Sequence, residues 1–385
     1  MRILHFCAHA GGFTYDWHHH HMIHELRAAG HEVIYLNPVS VIGRPADPAA
    51  YSQVLADEVK RILRNGSLDL FFATATDWML EPAAVMDVKR QGIPTVNLSC
   101  EDYAEPFRVR HIASSFDVLW STVRENTELL RGYGANVVAM PFAANPHIFR
   151  PVEVPEEAVV GFIGTLYGAR PRNLSRLVQA GLPVAVYGKP PWEQYGSRDI
   201  RAPVVRAFQD LGAAWTRLRL SLSCESGRAC VAGALKRSAI ELFGRPVETR
   251  GYLRSISYRT EPGFEDIARC ISGFGVNLGD IELRSTYVLR EPLLFIRLRE
   301  FEAPMCGGVH LVNRKAELQE YFQEDKEMLF FGNLEEMVDK ARFILAPERE
   351  SVRRSIRQRA RARALAEHTW LHRFRRLGEI LGLAF

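Results

Sequence analysis

A chain of 385 residues is longer than one ordinary hydrophobic core serves, so two domains are expected. With 47% hydrophobic and 24% charged residues, disorder of the whole chain is excluded, and a net charge of +4 gives no general case for a nucleic-acid partner. The cysteines (Cys7, Cys100, Cys224, Cys230, Cys270, Cys306) are scattered without a C-x-x-C pair, which argues for reduced core thiols and against a disulfide framework or structural zinc.

The opening Met-Arg-Ile-Leu-His-Phe lacks the long apolar segment of a signal peptide, and no apolar run approaches the roughly eighteen residues of a membrane span, so a soluble cytoplasmic protein is expected. Ile3 to Ala8 reads as a strand leading through Gly11-Gly12 into a helix from about Asp16, the first unit of a doubly wound fold. Such a glycine loop puts backbone N–H groups where an anion can sit. The full G-x-G-x-x-G fingerprint is missing, which counts against a nicotinamide enzyme. The helix carries His18, His19, His20, His21 and His24. No carboxylate or cysteine joins them in the H-E-x-x-H manner, so a partly exposed helix start that meets substrate is preferred to a metal site.

Alternation continues with strands at 31–36, 68–75, 94–98, 118–122 and 137–140, and helices at 49–63, 82–91, 103–114 and 125–132. Strands and helices at this spacing predict βαβ units on a parallel sheet, a Rossmann-like domain over residues 1–145. Asn145 to Pro151 is hinge-like, with prolines either side of an aromatic. The pattern restarts with strands at 159–164 and 183–188 around a helix at 171–180, predicting a second such domain over 150–348 and a cleft between the two. Residues 197–243 interrupt it as an inserted helical hairpin, for which acceptor cover, dimer contact and embellishment are all open. The pattern resumes with strands at 247–252 and 275–279 and a helix at 264–272.

Arg299 to Val312 reads as a helix start carrying carboxylates, a Cys306-Gly307-Gly308 break and a short apolar strand. That order puts Glu302 near the carboxyl ends of a parallel sheet, where open α/β sheets bind ligands and a carboxylate can take both hydroxyls of a ribose. A strand at 327–331 and helices at 316–322 and 334–346 follow. The tail, 349–385, is helical and rich in arginine, with Trp370, Phe374, Leu377 and Leu381 at helical spacing. It reads as a basic face whose apolar stripe docks on the body, with attraction to an anionic membrane surface as the alternative.

Several segments together resemble the GT-B glycosyltransferases of the group-1 (GT4-like) type, and within them the CgeB-like spore-maturation branch. They are Ser99-Cys100-Glu101-Asp102, Pro141 to Pro146, Gly161 to Tyr167, Val186-Tyr187-Gly188, Val276-Asn277-Leu278, Arg299 to Gly308 and Glu367-His368-Thr369-Trp370. The resemblance implies an α/β fold of two Rossmann-like domains with an interdomain cleft, the first on the acceptor side, and a terminal helix crossing back to it. It implies sugar transfer from a nucleotide sugar to a small-molecule, lipid or glycan acceptor, with neither metal nor other cofactor, in keeping with the absence of a D-x-D motif. The second domain would bind the donor: Gly164 and Thr165 near the diphosphate, Arg170, Arg172 and Lys189 offsetting its charge, Asn277 and Arg299 beside it, Glu302 on the ribose, and Gly307 and Gly308 leaving room. Asp102, Glu101 and His9 are the candidate bases from the first domain. Retaining members usually carry a second Glu eight residues before the ribose Glu; here that position is Leu294. A sugar-nucleotide 2-epimerase and a catalytically silent binding protein share the scaffold and are the alternatives.

Overall fold

The computed structural model describes residues 1–100, 103–194, 211–243 and 249–385. The chain divides into two units, one of Met1–Asn145 with Thr369–Phe385 and one of Pro146–His368.

In the first unit, β1 (Arg2–Phe6) is followed by helix α1 (12–28), β2 (Glu32–Leu36), α2 (Pro48–Arg64), β3 (Leu70–Ala73), α3 (Pro82–Arg90), β4 (Thr95–Ser99), β5 (Val118–Ser121), α4 (Thr127–Gly132) and β6 (Val137–Ala139). The strands form one sheet of order β2-β1-β3-β4-β5-β6, parallel throughout, with Ile3 in register with Val33 on one side and Leu70 on the other. Helices on both faces make β3, β4 and β5 buried along their whole length, which is why they read as continuous apolar runs. Helix α2 shows the local logic. Asp47 accepts the Ala50 N–H at 2.8 Å, Pro48 occupies the first turn, and Tyr51, Leu55, Val59 and Ile62 recur at three to four residues to form the stripe that packs on the sheet. Each such side chain contributes roughly 2 kcal/mol of burial.

The second unit repeats the scheme with β7 (Glu157–Ile163), α5 (Arg170–Gln179), β8 (Val184–Tyr187), the hairpin helices α6 (Leu211–Leu222) and α7 (Glu225–Phe243), β9 (Ser257–Arg259), α8 (Phe264–Gly273), β10 (Phe274–Leu278), α9 (Arg299–Met305), β11 (His310–Asn313), β12 (Leu329–Phe331), α10 (Leu334–Leu345) and α11 (Glu350–Glu367). Its sheet, also parallel, has the order β9-β8-β7-β10-β11-β12. The last helix, α12 (Trp370–Leu381), belongs to the first unit, where Trp370 and Phe374 pack with Trp120 and Phe374 also meets Phe72.

Three expectations change. Residues 103–114 form only single turns, Pro106–Val109 and Ala113–Ser115, because Asp77 takes the His111 and Ile112 N–H groups that a helix would have used. The strand expected at 247–252 is displaced: Thr249–Leu253 is helical, Leu253 and Ile256 enter the core, and Ser257–Arg259 joins the sheet beside β8. The tail is not one piece, since α11 stays in the second unit and only α12 lies in the first. It is a solvated basic face only in part: Arg354, Arg359, Arg375 and Arg376 are exposed, but others turn inward. Arg353 holds Glu156 and the Ile344 carbonyl, Arg357 holds Glu156 and the Phe274 carbonyl, and Arg361 donates to the Met305 carbonyl.

The histidine tract is likewise drawn inward. Around His19–Ile23 the helix widens so that the His24 N–H reaches back to the His19 carbonyl, turning His18 and His21 into the core. His18 hydrogen-bonds His5 at 2.8 Å, and His21 accepts the Trp370 indole N–H at 3.2 Å. Among the described residues no group of three His, Cys, Asp or Glu side chains could hold a metal, and no helix is long and apolar enough to cross a membrane.

Candidate functional site

In the second sheet the chain runs outward from β7 to β8 and β9, then returns to place β10 on the other side of β7. Crossovers that leave in opposite directions open a crevice at the carboxyl ends of β7 and β10, the usual ligand position in such sheets. Gly164 leaves β7 and Gly279-Asp280 leaves β10 at this point. The loops after β7 and β8 touch backbone to backbone: a Cβ on Gly188 would lie 2.6 Å from the Gly164 carbonyl oxygen. Gly164, Thr165, Gly188, Lys189 and Glu261 line a small cavity of about 70 Å³ beside them.

Arg170 opens α5. It donates to the Thr165 carbonyl at 2.7 Å, lies over the Tyr167 ring at 4.1 Å, and stands 3.7 Å from the Asp280 carboxylate. Arg172 Nη2 donates to both Glu282 oxygens, at 3.1 and 3.2 Å. Burial pushes the Asp280 and Glu282 carboxyls up, opposed by Arg170 for the first and Arg172 for the second. Arg297 donates to the Asp280 carbonyl at 2.8 Å and the Glu282 carbonyl at 3.2 Å, and its own N–H donates to Glu300 at 2.7 Å. One turn on, Arg299 and Glu302 form an ion pair at 2.8 Å, with Glu302 3% exposed. A continuous run of contacts therefore joins Thr165, Arg170, Asp280, Arg297 and the start of α9.

Residues 281–283 and 293–295 form a short antiparallel ladder, in which the Leu283 N–H donates to the Leu293 carbonyl and the Phe295 N–H to the Ile281 carbonyl. Glu282 is the direct partner of Leu294, so their side chains point to the same side. Asn277, Gly307 and Gly308 do internal work. The Asn277 amide donates to the Ile271 carbonyl, and a Cβ on Gly308 would sit 2.7 Å from Ile271 and 2.8 Å from the Asn277 amide. Gly307, at φ +67, supplies the left-handed turn that ends α9.

The first unit carries a cavity of a different kind. It measures about 620 Å³ and is lined by the loops after β1 and β2, among them His9, Gly11, Gly12, Tyr15, Tyr35 and Asn37, with no aspartate, glutamate, lysine or arginine among the described residues. His9 Nδ1 faces the Gly11 carbonyl at 2.7 Å and must donate to it. That leaves Nε2 to accept the Tyr35 hydroxyl proton, also at 2.7 Å. Asn37 ties the loop down, accepting the His9 N–H and donating to the His9 carbonyl. Beneath it, burial lowers the His5 pKa to about 3 and the His18 pKa well below the usual range, so this pair is neutral. Glu101 and Asp102 lie outside the described residues.

Sequence reasoning missed Asp280, Glu282 and Arg297, although Gly279-Asp280 directly follows a predicted strand. Tyr15, Tyr35 and Asn37 were also missed; only their place after the first two strands could have signalled them.

Residues 228–379 match the glycosyl transferase-like family. No curated protein matches the chain. Among solved structures, a sucrose-phosphate synthase from Thermosynechococcus elongatus aligns at a TM-score of 0.56 and 14% identity, over 98% of each chain. The Anabaena protein HepE, solved with UDP, aligns at 0.55 and 12%, over 99% of this chain and 100% of its own. A glycosyltransferase from Rickettsia africae aligns at 0.54 and 10%, over 99% and 97%. The chain shares the two-sheet GT-B fold of these structures, and the family match covers residues 228–379 of it.

Proposed function

We propose that this glycosyltransferase moves a sugar from a nucleoside-diphosphate donor held by the second unit to an uncharged, hydroxyl-bearing acceptor that enters the cavity of the first. The observation that carries the reading is the meeting of the Gly164-Thr165 turn with Arg170 at the β7/β10 crevice, in contact through Asp280 and Arg297 with the helix bearing Glu302. The acceptor oxygen bonds to the anomeric carbon, the sugar–phosphate bond breaks, and the diphosphate leaves with the electron pair. Arg170 and Arg172, with Lys189, offset that charge, the role a metal fills elsewhere. Glu302 accepts the ribose hydroxyls while Arg299 holds its carboxylate in place.

Glu282 takes the place left by the acid missing at Leu294. Its ladder position beside Leu294 and its clamp from Arg172 support that role toward the donor sugar. His9 takes the acceptor proton once an acceptor hydroxyl replaces Tyr35 at Nε2, with Glu101 and Asp102 as the other candidates. Placement in the CgeB-like branch rests on the segments quoted above, from Ser99 to Trp370. The family match is to transferases, which favours transfer over donor isomerisation or simple binding.

The test is a screen of nucleotide sugars for hydrolysis or transfer, with calorimetry on the free nucleoside diphosphates. UDP comes first, because HepE was solved with it. Binding of at least one diphosphate is expected, and no binding by any at millimolar concentration overturns the reading.

A further inference from the structure

The transferase reading leaves the outward side of the α6–α7 hairpin unused. Inward, α7 is built of small residues: a Cβ on Gly233 would lie 2.7 Å from the Ser285 carbonyl, and one on Gly227 would lie 2.0 Å from the Ser221 carbonyl. Outward, the large apolar residues face water. Trp215, Leu218 and Leu222 fall at i, i+3 and i+7, a single stripe on α6, and are 67%, 37% and 44% exposed. Leu235 and Leu242 repeat the i, i+7 spacing on α7 at 67% and 76%, and Phe243 at its end is 88% exposed. Seven of the sixteen exposed large apolar side chains among the described residues lie on these two helices, a concentration that scattered surface residues do not produce.

The charges decide what this surface fits. The two helices carry Arg217, Arg219, Arg228, Lys236 and Arg237 against Glu225 and Glu241, and Glu241 pairs with Arg237 at 2.7 Å. A second copy docked on the same surface would set this basic excess against itself. An anionic surface neutralises it, while the aromatic and aliphatic side chains enter the apolar layer beneath. We propose that the α6–α7 hairpin docks the protein on an anionic phospholipid surface. The sequence suggested a membrane contact for the arginine-rich tail, but three arginines of α11, Arg353, Arg357 and Arg361, are engaged in contacts within their own unit, whereas the hairpin joins exposed basic residues to exposed aromatic and aliphatic ones.

The experiment is co-sedimentation of the full chain with vesicles of phosphatidylcholine alone and of phosphatidylcholine mixed with phosphatidylglycerol. Sedimentation with the mixed vesicles only, weakened by salt, is expected. The double variant Trp215→Ser, Leu242→Ser should weaken that binding about tenfold or more. Arg217→Glu with Arg219→Glu should remove the preference for phosphatidylglycerol. Because the changed side chains are exposed, the melting temperature should not move, which separates lost docking from lost folding. No sedimentation, equal sedimentation with both vesicles, or variants that bind as the parent does would each overturn the proposal. So would self-association of the parent in velocity sedimentation that the variants lose, without lipid binding, since the surface then serves a second copy.

Discussion

The two units share a scaffold and differ in what stands at the ends of their strands. The loops after β7 and β10 gather arginines already matched with aspartate and glutamate, whereas the loops after β1 and β2 gather imidazole, phenol and amide groups around a cavity that no aspartate, glutamate, lysine or arginine lines among the described residues. Both sheets are parallel, but the chain reverses after β2 in the first and after β9 in the second, and on the proposed reading the charged strand ends serve an anion while the other set serves an uncharged ligand. Acids are used differently too. In the second unit Asp280 and Glu282 orient guanidinium groups, whereas in the first the buried Glu25 accepts the Trp370 and Leu371 N–H groups and so caps α12.

The sharpest way to break this contrast is Arg170→Ala. It removes a cation and frees the Thr165 carbonyl together, and turnover with the preferred donor should fall a hundredfold or more, about 3 kcal/mol. Arg170→Lys should recover only part of it, because an ammonium cannot keep the planar contact with Tyr167 together with the bond to the Thr165 carbonyl. Unchanged turnover would leave the second unit's charge without a chemical purpose.

The first unit's contrasting use of an acid shows in its pH dependence. Burial lifts the Glu25 pKa from the ordinary 4.5 to about 7. The folded value exceeds the unfolded one, so this group's contribution to stability is fully present below about 4.5 and is lost as pH rises through about 7, a span of up to about 3 kcal/mol. His5 and His18 act oppositely: held neutral, they contribute above about 6.5 and lose that contribution on acidification. Between pH 4.5 and 6.5 the two effects partly cancel in the parent. Glu25→Gln should therefore make stability fall more steeply on acidification, followed by tryptophan fluorescence in urea, since the buried Trp120 and Trp370 both report on this unit. An identical pH profile in the variant would remove Glu25 from the account.

Glu302→Ala tests the donor side more narrowly, and nucleoside-diphosphate binding should weaken by about 1–3 kcal/mol, the usual cost of leaving buried partners unpaired. Unchanged affinity in calorimetry would take Glu302 out of the site.

How much of this was legible in advance depends on whether a residue's role is local. Glu302 is placed by the order of helix, glycine break and strand alone, whereas the site roles of Gly164 and Arg170 come from what the family resemblance implies. Glu282 is different, because its significance comes from pairing with Leu294 across a loop that has no periodicity of its own. Gly308 misled for a related reason. A glycine after a short helix looks like clearance for a ligand, but its missing Cβ makes room for Ile271 and Asn277, which only the packed structure brings there. Arg357 and Arg361 read as surface charge because their carbonyl partners, Phe274 and Met305, are far away in the chain.

The smallest expected effect separates the units most cleanly. Tyr15 lines the uncharged cavity and is 41% exposed, stacked on His19 at 5.5 Å and edge-on to Tyr35 at 5.2 Å. Its ring is held from two sides while one flank stays open, the arrangement that offers a flat apolar face to a ligand ring at little entropic cost. Tyr15→Ala should raise the acceptor KM several-fold, about 1 kcal/mol, with nucleoside-diphosphate affinity unchanged, whereas Tyr15→Phe should behave as the parent because the face and not the hydroxyl makes the contact. Should Tyr15→Ala weaken diphosphate binding as Glu302→Ala does, the division of an uncharged ligand for one unit and a charged ligand for the other would be wrong, since Tyr15 lines the cavity of the first unit and makes none of the contacts described at the β7/β10 crevice.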